Sequence, residues 1–128
     1  MKQETRLLAI EARICLVLSV IFIHGKVITP GLCHYGFTWS DKFEHLFAFF
    51  ILSLLLDFAF PGKPFTYRKI AVLLLYGAGI EVIQLFVPFR DFDLFDFIAD
   101  ILGIALYPFA IPLIRRIPLL KSRWVTET

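Results

Sequence analysis

Charge is scarce in this chain. Only 19% of its 128 residues are Asp, Glu, Lys or Arg, against 59% that are apolar. That balance excludes a disordered, solvating chain, which needs low hydrophobicity. The formal net charge is only +2, and no dense basic patch exists, which gives no footing for nucleic acid. Cysteine is scarcer still: only Cys15, inside an apolar run, and Cys33, in the loop after it. The expected separation is too great for a disulfide, so both are read as free thiols. There is no internal repeat and no low-complexity tract. No apolar run alternates with the period of two that a membrane strand needs.

What the chain has is phenylalanine, 15 residues of it, and long apolar runs. These are Leu7–Ile28, Phe43–Phe60, Ile70–Val87 and Leu94–Leu113. A bilayer core about 30 Å thick takes about 20 mostly apolar residues per helix. The reading is therefore an all-α integral membrane bundle of four transmembrane helices, one domain over residues 1–128. The first run leads into His24, Gly25 and Lys26 with no small-residue cleavage site, so it is read as a retained helix rather than a signal peptide. Leu32 before Cys33 likewise disfavours a lipoprotein processing site. Pro108 is expected to kink the fourth helix.

Positive charge sets the sidedness. With four spans, both termini and the second loop share a face, and that face carries ten of the thirteen Lys and Arg residues. Lys26, Lys42 and Arg90 fall on the other. Both termini are thus expected in the cytoplasm of a multi-pass protein of the cytoplasmic membrane. Arg13 is expected to snorkel towards the inner interface, and Trp39, Tyr35 and Tyr67 to sit at the interfaces.

The acidic residues give a sharper signal. Asp41, Lys42, Glu44 and His45 open the second helix on the outer side. Glu81 lies about 9 Å inside the end of the third run, and Asp100 about 9 Å inside the start of the fourth. The spacings Gly77-Glu81-Gln84-Pro88, Asp93-Asp96-Asp100-Gly103 and Asp41-His45 each line one helical face. Gly77 and Gly103 on those faces would let helices 3 and 4 approach closely. An acidic side chain costs about 2.5–3.5 kcal/mol at a helix centre. These off-centre ones are still expensive without partners, and Lys42, His45 and Arg90 are the bases available. The expected result is a polar pocket at the outer face built from Asp41, Lys42, His45, Glu81, Gln84, Arg90, Asp96 and Asp100.

Blander roles compete. Asp41 is placed to cap helix 2, with Glu44 completing a capping box. Asp93 is placed to cap helix 4, and Asp96 suits the helix dipole. Glu81 has no such role. Asp57 and Glu11, towards the other end, read as structural, and Asp57 as isolated. His24, Cys33, His34 and His45 match no zinc-ligand spacing. Asp96 and Asp100 could hold a magnesium ion against a phosphate, but no metal or other cofactor is required by the pattern. Arg90-Asp91-Phe92-Asp93 lacks the later residues of a calcium loop.

These blocks resemble a known family. Asp41-Lys42-Phe43-Glu44-His45 is similar to the D-K-x-x-H opening of the VanZ-like family. Gly77 through Gln84 is similar to its G-x-x-x-E-x-x-Q helix, and Pro88-Phe89-Arg90, Asp96, Asp100 and Gly103 to its third block. The resemblance covers about residues 40–106. Where many members carry Asn, this chain has Asp100, which adds a carboxylate. The family is named for an accessory protein in teicoplanin resistance, so the resemblance implies a cell-envelope role at the outer face of the membrane.

Three functions follow as expectations. The first is an accessory protein that binds an envelope lipid headgroup or a glycopeptide antibiotic, with self-association into a homo-oligomer as a further expectation. The second is an enzyme on a phosphate-bearing lipid, with Lys42 and Arg90 holding phosphate and Glu81 or His45 as acid or base. Against it, the chain lacks the P-S-G-H of membrane phosphatases, the D-G-x-x-A-R of alcohol phosphotransferases and a nucleophile elbow. The third is proton or ion movement through the carboxylates. The accessory reading ranks first.

Overall fold

The computed structural model describes residues 3–28, 39–87 and 93–127. Among these the chain is all-helical. α1 spans Gln3–Ile28, α2 Trp39–Ala59, α3 Tyr67–Gln84 and α4 Leu94–Ile114, and a short 3-10 segment follows at Lys121–Glu127. α1, α2 and α3 each begin three or four residues before their apolar runs, because the charged first turns are helical too. α3 stops at Gln84, short of Val87. There the N–H groups of Leu85, Phe86 and Val87 turn to the carbonyls three residues back, at 3.2, 3.0 and 3.3 Å. That tightening closes a helix end. α4 continues through both Pro108 and Pro112 as one helix.

The outward surface is apolar. Ile14, Val17, Leu18, Ile21 and Phe22 of α1 are all more than half exposed, as are Leu75 of α3 and Phe109 of α4. Such a surface suits lipid rather than water. Two helices, α1 and α4, are by themselves long and apolar enough to cross a membrane.

α2 and α4 run side by side in the same direction, and one glycine sets their distance. A Cβ on Gly103 would lie 2.3 Å from the Leu46 carbonyl oxygen and 3.0 Å from the Phe50 nitrogen. Gly103 therefore serves the α2–α4 contact, not the α3–α4 contact expected from its face. Gly77 of α3 does meet α4. Its missing Cβ would lie 3.1 Å from Asp100 Oδ2 and 3.3 Å from the Phe49 ring. Between these contacts Phe49, Leu52, Leu73, Ile80 and Ile104 form the central core.

At the end opposite the expected pocket, polar groups knot the bundle to its own tail. Asp57 is fully buried. Its Oδ1 accepts from Arg123 Nη2 at 2.5 Å and from Lys69 Nζ at 2.8 Å, and its Oδ2 from the Tyr107 hydroxyl at 2.6 Å. Arg123 also donates to the carbonyls of Asp57, Pro61 and Lys63. Arg13 ties α1 to this end through the Ala59 carbonyl at 2.9 Å. Asp57 is thus structural, as expected, but far from isolated.

Two outcomes follow. Gly103→Ala forces two backbones apart and should cost about 1–3 kcal/mol of stability, read as a lower melting temperature in detergent. Asp57→Ala leaves Arg123 and Lys69 buried without their counter-charge and should cost about 3–5 kcal/mol. In that variant the C-terminal segment should also become open to proteolysis.

Candidate functional site

α2, α3 and α4 bring ionisable side chains to one end of the bundle. Lys42, in the first turn of α2, reaches the start of α4. Its Nζ donates to Asp93 Oδ2 and to Asp96 Oδ1, each at 2.5 Å. His45 follows on the same face. Its Nδ1 lies 2.8 Å from Asp100 Oδ1 and its Nε2 3.5 Å from Asp96 Oδ2. From α3, Glu81 Oε2 accepts from the backbone N–H of Asp93 at 3.4 Å. Glu81 is 1% exposed and Asp100 0%, while the Asp93 side chain is 30% exposed. The cluster is therefore graded, open at Asp93 and closed at Asp100.

Local sequence explains each placement. Asp93 has extended backbone and caps α4, its Oδ1 accepting from the Phe95 N–H at 2.9 Å. Asp96 and Asp100 then fall one turn apart on the face that Gly103 holds against α2. On α3, Glu81 stands one turn beyond Gly77, the glycine that lets Asp100 approach. Burial opposes the charge on Asp93, but the hydrogen bonds from Lys42 and from the Phe95 N–H prevail and hold its carboxyl below the usual value.

Of the residues expected in the pocket, Lys42, His45, Glu81, Asp96 and Asp100 meet directly. Gln84 is buried at the last position of α3. Asp41 is half-exposed inside the first turn of α2 rather than at its cap, and Glu44 pairs instead with Lys26 of α1 at 3.0 Å. Arg90 lies outside the described residues, as do Cys33 and His34. His24 sits elsewhere, its Nδ1 2.8 Å from the Val20 carbonyl, so it does not join His45. Of the pair weighed from sequence for magnesium, Asp96 lies with His45 and Glu81, whose ligand atoms are all within 4.8 Å of one another, while Asp100 Oδ1 lies against His45 Nδ1. Sequence reasoning missed two things. It put Asp93 on the right face and at the cap but left it out of the pocket residues, although its second oxygen holds Lys42. It passed over the Asp57 knot, although a carboxylate at the end of an apolar run carried the same signal as Glu81.

The chain is thus a small all-helical bundle with an apolar surface, two helices of membrane-crossing length and an acidic cluster at one bundle end. The family model described as VanZ/LLP1 matches residues 8–115, and the chain belongs to that family. An uncharacterized protein of Schizosaccharomyces pombe is 36% identical over 70 residues, covering 52% of this chain. This chain spans only 43% of that yeast protein's length. No solved structure matches.

Asp93 gives a pH signature. A carboxyl held below its unfolded pKa, about 3.9, stabilises the fold above that pH, and the effect is lost as pH falls through it. Asp93→Asn keeps a capping side chain but loses the charge facing Lys42. It should cost about 0.2–1 kcal/mol at pH 6, since the pair is partly exposed. The gap to the parent protein should close below about pH 4, as measured by melting in detergent.

Proposed function

We propose that this chain is a multi-pass protein of the cytoplasmic membrane with four spans and both termini in the cytoplasm. In this reading its outer-end cluster binds the head group of an envelope lipid, in an accessory role in envelope maintenance or antibiotic tolerance. The observation that carries it is the convergence of Lys42, His45, Glu81, Asp93, Asp96 and Asp100 from three helices onto one graded site. Ionisable groups kept at such depth mark ligand or ion sites by default. A groove of about 370 Å³ supports the lipid part. It is lined by Leu18, Phe22 and Ile23 of α1 and by Ala48, Ile51 and Leu52 of α2, starting about one turn inward of His45. An acyl chain fits that lining, with its head group at the cluster.

The relative in a yeast favours a lipid over a glycopeptide antibiotic as the common ligand, because lipid head groups are present in both kinds of membrane. The phosphate-lipid enzyme is less well supported: Lys42, its intended phosphate holder, is already held by two aspartates. Ion translocation is also weaker. His45 and Asp57 stand about 18 Å apart along α2, with Phe49 and Leu52 of the apolar core between them.

Envelope lipids added to the delipidated protein should raise its melting temperature, and teicoplanin-like compounds serve as the competing arm. Glu81→Gln and His45→Gln should abolish the shift. A shift that survives both variants places the lipid elsewhere, and no shift with any lipid removes the reading. A reporter fused to the C-terminus should be active only on the cytoplasmic side.

A further inference from the structure

We propose that Lys26 and Glu44 select the lipid that occupies the α1–α2 groove, and that its head group carries both a phosphate and a primary ammonium. The inference rests on the lipid reading for the occupant of the groove and adds the residues that choose its head. The groove, about 370 Å³ in volume, is within the range of small-molecule sites. It opens outwards, because Leu18, Phe22 and Ile51 on its rim are about half exposed or more. On both helices its apolar lining ends in a charge. Lys26 follows Phe22 and Ile23 by four and three residues, and Glu44 precedes Ala48 by four. Each therefore stands on the groove-lining face of its helix, about 6 Å further out. There the two side chains meet, Lys26 Nζ donating to Glu44 Oε2 at 3.0 Å.

The mouth of the groove thus presents one cation beside one anion, above an apolar slot. That is the complement of a zwitterionic phospholipid. The side chains of Lys26 and Glu44 are 44% and 59% exposed. An exposed ion pair gains little from staying closed, so a head group enters between them at small cost. Its phosphate then accepts from Lys26 Nζ and its ammonium donates to the Glu44 carboxylate, which makes two charge-assisted hydrogen bonds in place of one. A head group with phosphate alone sets its charge against Glu44 as well as Lys26. A quaternary ammonium has no N–H to donate to that carboxylate. Glu44 and His45 are successive residues of α2, so the pair borders the head-group level from the α1 side and the acidic cluster borders it from the α4 side.

The test is lipid titration of the delipidated protein in detergent, read as melting temperature and as bound lipid by native mass spectrometry. The probes are phosphatidylethanolamine, phosphatidylcholine and phosphatidylglycerol with the same acyl chains. The parent protein should bind the ethanolamine lipid about five-fold tighter than the other two. Glu44→Gln should erase that preference. Lys26→Gln should weaken all three lipids, since each carries the phosphate, and so should Ser19→Leu, which fills the slot. Lys26 and Glu44 are exposed, so these two variants should melt like the parent protein without lipid. No preference in the parent protein, or a preference unchanged in Glu44→Gln, leaves a surface ion pair only and overturns the inference. Its failure is distinct from that of the cluster reading. Stabilisation lost in His45→Gln and Glu81→Gln, with no preference among lipids in the parent protein, removes this inference alone. A preference that persists in those two variants and disappears in Glu44→Gln upholds the pair and removes the cluster as the head-group site.

Discussion

The distance between α2 and α4 governs everything at the ionisable end. Gly103 lacks the atom that would strike the Leu46 carbonyl, so the two backbones touch. At that separation short side chains suffice: aspartates on α4 reach Lys42 and His45 without bridging water. Because the helices run in the same direction, the contacts step inward in register. Lys42 meets Asp93 and Asp96, His45 meets Asp96 and Asp100, and Leu46 meets Gly103. Close packing through small residues is the usual way for helices in lipid to gain dispersion contacts, since lipid tails already satisfy their apolar faces. Here the same device aligns charge.

The two ends of the bundle solve the problem of buried charge differently. At the other bundle end both Asp57 carboxylate oxygens have donors, and cations shared with backbone carbonyls complete the shell. Such a network is complete in itself, and removing one member is what costs. At the acidic-cluster end one buried oxygen of Asp100 has no hydrogen-bond partner among the described residues. Completeness marks the first cluster as an internal clasp. The second is graded instead, from the partly exposed Asp93 to the buried Asp100.

Much of this was legible in the sequence. The four apolar runs located the helices, since hydrophobic length is a direct physical requirement of lipid. The spacings of four and three around Glu81 and Asp100 located the faces, but because α3 ends at Gln84, Glu81 lies three residues from its helix end against six for Asp100. The starts of α1, α2 and α3 were missed by about a turn because their polar first turns carry no apolar signal, whereas α4 starts at Leu94 as expected. The partner of Gly103 was misjudged because periodicity gives a face but not which neighbour that face meets. Arg123 counted only as topology charge, and nothing local ties it to an aspartate in α2. The meeting of His45, Glu81 and Asp96 needed coordinates, since they come from three separate helices.

The clasp also imposes an order in time. Lys69 follows Asp57 by 12 residues and Arg123 follows it by 66. A chain made from its N-terminus must form α2 before Arg123 exists. During that interval the Asp57 carboxylate has at best Lys69 for company, and the carbonyls of Pro61 and Lys63 lack the guanidinium that later joins them. Arg123 therefore locks helices made well before it, and a chain cut short upstream of it would be left loosely held at the end opposite the acidic cluster.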